Sequence, residues 1–238
     1  GIPMQRIHGT AFGSAKELEE HLARLEEAKK RDHRKLGLEL DLFSFHEEAP
    51  GLPFWHHGGV IVGQEIERFI RGELSRRAYK EIKTPLVLTD GLCHQSGHYD
   101  HYRDNMYFVE KEDRTFAVKP MNCPGACLLY KTGLRSYRDL PLRLAEFGRV
   151  YRHELPAVLM GAMRVRTFTQ DDAHIYCEPE QVAAEIAGMI DLVQVVYPAL
   201  GYSMAGVGVR VATRPANSMG SDEDWARAER ALADGLTA

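Results

Sequence analysis

The sequence predicts an α+β fold, an antiparallel sheet flanked by helices. Strands and helices follow one another in mixed order, a short hairpin is expected in the middle of the chain, and two long strands come after it. The chain has 238 residues, of which 44% are hydrophobic and 27% charged, as in ordinary soluble globular proteins. We therefore expect one large domain over residues 1–238.

The first third of the chain predicts two helices and an edge strand. A capping box at Ser14 begins the first helix, and leucines at helical spacing extend it to about Leu36. A second helix is expected around residues 66–74, followed by a strand over 81–89. Because Pro85 removes a backbone donor from this strand, we expect the strand at a sheet edge or a chain interface.

The rest of the chain predicts further strands and helices in succession. A loop over residues 155–162 separates the two long strands, and its Pro156 and Gly161 are typical of a mobile connection. The expected elements are a hairpin over 106–118, strands over 142–154 and 163–177, a helix over 178–200, a strand over 207–213 and a helix from Ser221 onward.

Residues 164–177, RVRTFTQDDAHIYC, combine strand periodicity with unusual polarity. Side chains two residues apart share a face of a strand. One of the two faces of this segment is apolar enough to pack. For the other face, simple exposure to solvent is the ordinary interpretation. Its mixture of guanidinium, ring, amide, carboxylate and imidazole groups instead favours ligand binding. That face carries Arg164, Arg166, Phe168, Gln170, Asp172 and His174.

Composition excludes several classes of protein. The formal net charge of −4 argues against nucleic-acid binding that depends on overall positive charge, so any RNA contact must be local. No run of about 18 apolar residues and no secretory signal is present, which predicts a cytoplasmic protein without a membrane contact. In that compartment the cysteines are expected to be thiols or metal ligands. They are Cys93, Cys123, Cys127 and Cys177.

The predicted strand that precedes residues 164–177 contains RVYRHE, with Arg152 and Glu154 two residues apart. If the two long strands pair, one face gathers these two side chains with Arg164 and Phe168. Guanidinium groups bind phosphates, a phenyl ring stacks on a base, and a carboxylate accepts from an exocyclic amine. The pattern predicts a nucleoside triphosphate site, although no glycine-rich phosphate loop is present.

Longer segments carry a resemblance to a known family. Arg152-His-Glu154 with Arg164-xxx-Phe168 resembles motif 2 of class II aminoacyl-tRNA synthetases, and Thr84-Pro85 resembles their motif 1. Within that class, the match is closest to the catalytic domain of the threonyl-tRNA synthetase family. The segments that carry it include SGHYDHYRDNMYFV, KPMNCPG and MRVRTFTQDDAHIYC, and the resemblance extends over residues 4–225.

The resemblance implies a bent ATP bound with Mg²⁺ on the sheet. It assigns Arg152 to the α-phosphate as a catalytic residue, Glu154 to the adenine amine, Phe168 to stacking and Arg164 to the terminal phosphates. It further implies the 3′ end of tRNA(Thr) as acceptor and a homodimer formed through motif 1. His98 matches a family position near the tRNA end, where it is a candidate catalytic proton acceptor; a structural role for this histidine is the alternative.

The resemblance also implies a catalytic Zn²⁺, with Cys123 and His174 as two of three protein ligands. Zinc would let the site demand a hydroxyl group and reject valine, which has nearly the shape of threonine. Gln170 and Asp172 would orient the amine and hydroxyl of L-threonine. The implied substrate-binding residues are Met121, Arg152, Gln170 and Asp172.

A closed structural zinc site is the rival hypothesis. CPGAC and HIYC together offer Cys123, Cys127, His174 and Cys177. Strand periodicity counts against this site, because residues three apart point to opposite faces. Small buried residues are the preferred interpretation of Cys127 and Cys177.

The chain departs from the family pattern at several points. Ala126 and Met160 stand where the family commonly has histidine. We expect the chain to end at Ala238 before motif 3, without its ATP-binding arginine or the third zinc ligand, and without the editing and anticodon-binding domains. A fragment of a longer synthetase is the first hypothesis. The alternatives are a truncated, weakly active or inactive paralogue acting as a binding module, and an adenylating homologue with another acceptor.

Overall fold

The computed structural model describes residues 9–97, 99, 102–216 and 218–237. The chain divides into two compact units. The first combines residues 1–63 with residues 154–166, and the second combines residues 64–153 with residues 167–238.

Two helices and a small hairpin build the first unit. The Ser14 hydroxyl accepts a hydrogen bond from the backbone of Glu17, which confirms the predicted start of the first helix. The prediction of one helix to Leu36 is wrong, because the Asp32 side chain accepts from the Arg34 backbone and caps a second helix. The elements are α1 (Ala15–Lys30), α2 (His33–Glu39), β1 (Phe43–Ser44) and β2 (Phe54–Trp55), of which the last two pair antiparallel.

The helix predicted around residues 66–74 is confirmed and is longer, extending over α3 (His57–Arg76). The strand predicted over 81–89 is divided into β3 (Lys80–Glu81) and β4 (Val87–Thr89). The division falls at Pro85, since a proline cannot donate to a strand ladder. Both short strands lie at sheet edges, as this proline predicts.

One sheet of the second unit has the order β4–β6–β5, with β5 (Tyr107–Lys111) and β6 (Arg114–Val118) forming the predicted hairpin. Glu112 and Asp113 connect these two strands with φ of 54° and 55°. Positive φ at both central residues matches the right-handed twist of the strands, so two residues suffice for the turn.

The other sheet has the order β3–β7–β8 and contains the two long strands, β7 (Leu142–Tyr151) and β8 (Thr167–Tyr176). These strands pair antiparallel without interruption, from Leu142 opposite Tyr176 to Tyr151 opposite Thr167. The α+β class is confirmed, but this sheet is mixed, because β3 pairs parallel to β7.

The two long strands are shorter than predicted on either side of the loop that connects them. The strand β7 ends at Tyr151, and β8 begins at Thr167. Arg164 and Arg166 therefore lie outside β8, and their expected place on its ligand face is wrong. Arg166 instead donates to the backbone oxygens of Glu154 and Pro50, at 2.9 and 3.0 Å. These bonds give the loop carbonyl groups hydrogen-bond partners outside the sheet. They therefore compete with an extension of the β7–β8 ladder.

Helices cover one face of the mixed sheet. Ile70 and Leu74 of α3 pack on Ala145 of β7, together with Phe147. This packing leaves the side chains of Thr169, Asp171 and Ala173 on β8 exposed. The expectation that this face of β8 is packed is therefore wrong, since the helices cover β7 more than its neighbour.

Two short helices, α4 (Gly91–Gln95) and α5 (Cys123–Tyr130), come before and after the β5–β6 hairpin. The predicted helix over 178–200 is confirmed as α6 (Val182–Ala199). Arg143 of β7 holds it through a two-pronged ion pair with Glu185, at 2.6 Å from Nε to Oε2. Arg77 forms a second ion pair with Asp191 of the same helix, at 2.7 Å. Residues 179–199 are long and apolar enough to cross a membrane by length and composition. Glu185 and Asp191 connect this helix to Arg143 of β7 and to Arg77, which directly follows α3.

The carboxyl-terminal prediction is half correct. The last helix is α7 (Asp222–Thr237), and the hydroxyl of Ser221 directly before it accepts from the Asp224 backbone. Residues 207–213 form no strand, although the structure describes all of them. Alternating side chains alone do not make a strand, because its backbone groups need a partner ladder.

Candidate active site

A group of three possible metal ligands lies where a helix meets the mixed sheet. Cys123 is the first residue of α5 (Cys123–Tyr130), while Asp172 and His174 lie two residues apart on β8. One ligand atom from each of these three residues lies within 4.8 Å of the other two. The predicted pair Cys123 and His174 is thus brought together, with Asp172 as a further possible donor.

The chemistry of this group suits zinc. Thiolate sulfur, imidazole nitrogen and carboxylate oxygen are the three donor types that bind Zn²⁺ in proteins. Three protein donors leave a position open, as in catalytic rather than structural sites. The residues present therefore fit the implied metal.

Charge and burial act together on the Cys123 thiol. Burial and the neighbouring Asp172 carboxylate raise the pKa of this thiol. Both causes disfavour the thiolate, and a bound cation would act in the opposite direction.

The closed four-ligand zinc site is wrong for the described residues, since the donor group contains neither Cys127 nor Cys177. The Cys127 sulfur instead accepts a hydrogen bond from the Tyr176 hydroxyl at 3.7 Å. Cys127 is also exposed, so its expected burial is wrong as well. Cys177 follows His174 by three residues, and strand periodicity turns such residues to opposite faces.

Asn122 belongs to this site and was missed by the sequence interpretation. Its side chain is 1% exposed, and its Nδ2 donates to Gln170 Oε1 at 3.4 Å and to Asp172 Oδ2 at 3.2 Å. Both acceptors belong to residues that the family resemblance assigns to the substrate. Asn122 lies in the segment KPMNCPG, where the family resemblance implies roles only for Met121 and Cys123. Met121 is half-buried directly before it.

Arg152 and Phe168 lie together in the second unit. The Arg152 guanidinium carbon is 5.3 Å from the centre of the Phe168 ring, and its Nε donates to the Pro120 backbone oxygen at 3.1 Å. These two contacts orient a cation beside an aromatic face. A guanidinium group suits phosphate binding, and an aromatic ring suits stacking on a base.

Glu154 and Arg164 form an ion pair of 3.0 Å in the first unit. Both residues lie in the connection between β7 and β8 rather than on the strands. The prediction that strand pairing gathers them on one face is therefore wrong. Since Arg164 is about half exposed, water screens this ion pair and its attraction is weak.

Three further positions singled out from the sequence are His98, Ala126 and Met160. His98 lies outside the described residues. Ala126 is buried within α5, whereas Met160 is exposed and forms an isolated bridge with Arg164.

A buried ionic network supports the site from β7 and was not predicted. Lys119 Nζ lies 2.9 Å from Glu146 Oε1 and donates to Thr84 Oγ1 at the same distance. The backbone and hydroxyl groups of Thr84 also donate to the Glu146 carboxylate. Lys119 and Glu146 are 3% and 4% exposed, and Glu146 pairs directly with Asp172 across the strands. The sequence signal for this network is Glu146 itself, a charged residue among the buried apolar positions of β7.

The fold is that of a class II aminoacyl-tRNA synthetase core. Residues 107–226 match the model of the tRNA synthetase class II core domain (G, H, P, S and T), so the chain belongs to this family. The chain is 56% identical over 233 residues to a threonine–tRNA ligase of Clostridium botulinum strain 657. That match covers 98% of the chain and 36% of the relative, so the chain spans about a third of its relative's length.

Solved structures lead to the same family. A crystal structure described as the RNA binding domain of threonyl-tRNA synthetase from Cryptosporidium parvum Iowa II has a TM-score of 0.79 and 39% identity. That match covers 87% of this chain and 51% of the other. A putative threonyl-tRNA synthetase from Aeropyrum pernix has a TM-score of 0.72 and 29% identity, with coverage of 87% and 50%.

Proposed function

We propose that the chain forms the amino-acid-activating core of a threonine–tRNA ligase. The observation that carries this proposal is the group of Cys123, Asp172 and His174, whose donor atoms lie within 4.8 Å of one another. The threonine–tRNA ligases to which the chain is similar support the choice of amino acid.

Cys123 and His174 would hold Zn²⁺, with the Asp172 carboxylate in reach. When bound, the metal supplies a Lewis acid that coordinates the amine and hydroxyl of threonine. Gln170 and Asp172 would orient these two groups, with Met121 beside them. The task of the chain's own residues is to position the amino acid so that its carboxylate faces ATP.

ATP would bind with Mg²⁺, which neutralises its phosphates. Phe168 would stack on the adenine, Glu154 accept from its amine and Arg164 contact the terminal phosphates. A threonine carboxylate oxygen then attacks the α-phosphorus, the bond from that phosphorus to the bridging oxygen breaks, and pyrophosphate leaves. Arg152 would bind the α-phosphate, where charge develops in the transition state.

The threonyl group would pass to the 3′ end of tRNA(Thr). A terminal ribose hydroxyl attacks the threonyl carbonyl, its proton goes to a base, and AMP leaves. His98 is proposed as that base from the family resemblance alone.

The assembly proposed is a homodimer formed through motif 1, in the cytoplasm. Support comes from β3 and β4, which flank Pro85 and lie at the edges of their sheets. Leu86 and Val87 expose large apolar surface there. Sedimentation of the wild-type chain and of Val87→Lys tests this proposal, since a charge in the interface should favour monomers.

Replacing Phe168 with alanine is expected to raise the KM for ATP about 5- to 150-fold. Loss of one base-stacking ring costs about 1–3 kcal/mol. Pyrophosphate exchange at varied ATP, with the KM for threonine as the internal control, measures this effect. An unchanged KM for ATP would remove Phe168 from the ATP site.

Among competing amino acids, serine is expected to be activated and valine rejected. Serine keeps the hydroxyl and lacks one methyl group, which reduces kcat/KM about 10- to 200-fold. Valine lacks the hydroxyl, and polar sites reject such analogues by about 10⁴-fold or more. Exchange rates with the three amino acids measure both ratios. Refusal of serine as complete as that of valine would contradict hydroxyl recognition.

A further inference from the structure

Asn122 is placed where asparagine ordinarily caps a helix, yet its side chain does not do so. It occupies the N-cap position of α5, and its side chain makes no capping hydrogen bond. Asparagine is among the strongest N-cap residues, because its side-chain oxygen accepts from the first helical turn. Its amide is directed to β8 instead, which forgoes that stabilisation.

The two amide hydrogens of Asn122 are divided between two residues of the proposed substrate site. An amide nitrogen has two donors, and here one reaches Gln170 Oε1 and the other Asp172 Oδ2. The bond to Oε1 fixes which end of the Gln170 amide is the acceptor, so Nε2 remains a donor for another partner. The bond to Oδ2 likewise leaves Oδ1 of Asp172 as an acceptor.

Gly148 makes room for this arrangement. It pairs with Gln170 across β7 and β8, and a Cβ added there would lie 2.5 Å from Asn122 Cγ and 2.6 Å from Nδ2. Glycine is required here by space, since its backbone does not occupy the left-handed region.

The arrangement has a cost in stability. Asn122 Oδ1 is buried, and among the described residues it has no hydrogen-bond partner. A buried unsatisfied acceptor loses its hydration without compensation. A residue chosen for stability alone would not leave one, so the position favours a role in the site.

We propose that Asn122 is a positioning residue for amino-acid selection, and that Gly148 holds it in place. By orienting Gln170 and Asp172, Asn122 sets the donor and acceptor pattern that a hydroxyl-bearing amino acid meets. This inference rests on the proposed function.

The test is threonine-dependent pyrophosphate exchange by the full chain carrying Asn122→Ala, Gly148→Ala or both. Each single variant is expected to raise the KM for threonine about tenfold or more, with the KM for ATP within about twofold. The double variant should match Asn122→Ala, because the added methyl group then fills space that the amide has left. Gly188→Ala is the matched control, since a Cβ there meets nothing within 4 Å.

The outcomes separate this inference from the proposed function. A wild-type chain without threonine-dependent exchange would overturn the proposed function and this inference with it. Wild-type exchange with an unchanged threonine KM in Asn122→Ala would overturn the inference alone. Equal rises in both KM values, or additive effects in the double variant, would assign Asn122 a general structural role and overturn it too. Threonine binding by calorimetry gives the same comparison if a variant has too little activity.

Discussion

Replacing Cys123 with alanine is expected to abolish stoichiometric zinc binding and to reduce threonine-dependent exchange at least about 100-fold. Loss of a partner that merely orients a zinc ligand costs 10- to 100-fold, and loss of a ligand costs more. Cys123 is one of three residues whose donor atoms lie within 4.8 Å of one another, so two donors would remain. Metal analysis of the purified protein and exchange kinetics measure the two effects separately.

Cys127→Ala is the matched control, since Cys127 lies on the same helix but outside the donor group. It should keep both its zinc and its activity. Chelation of the wild-type protein should mimic Cys123→Ala, and added zinc should restore activity to the wild type only. A Cys123→Ala variant that retains one zinc per chain would contradict the proposed metal site.

Replacing Glu146 with leucine is expected to lower the free energy of unfolding by about 3–5 kcal/mol. The substitution leaves the Lys119 ammonium, which is 3% exposed, without its carboxylate partner. Thr84 also loses the acceptor of its backbone and hydroxyl groups. Urea denaturation followed by circular dichroism measures the change, and an unchanged free energy would contradict a tightly coupled network.

A second substitution tests the physical cause of this loss. Lys119→Met together with Glu146→Leu should recover most of the stability, because replacing both charges avoids an unpaired one. Glu110→Leu is the control for the same change on an exposed strand position, and its effect should stay within about 0.5 kcal/mol. Equal losses in the single and double variants would show that packing, not charge, is responsible.

Local patterns predicted the parts of the fold that local physics determines. Alternation identified the β5–β6 hairpin and the cores of β7 and β8, and a capping serine predicted the start of α1. The break before α2 depends on a single aspartate cap at Asp32, which leucine spacing does not reveal. The parallel pairing of β3 with β7 depends on contacts distant in sequence, for which local periodicity has no signal.

The candidate site divides in the same way. Periodicity placed Asp172 and His174 on one face of a strand, and the family resemblance assigned Cys123 and His174 to zinc. Neither the periodicity nor the resemblance indicates a role for Asn122 or Glu146. Each is an ordinary polar residue whose role arises from the buried partners that the fold brings to it, and such partners cannot be read from spacing along the chain.

Threonine-dependent exchange of pyrophosphate into ATP, with zinc supplied and with serine and valine as controls, is the decisive test of the proposed function. We expect exchange in the order threonine, serine, valine, with valine near the background. Absence of exchange from a sample that still binds ATP or threonine would contradict the proposed function. It would leave a ligand-binding module built on a class II synthetase core.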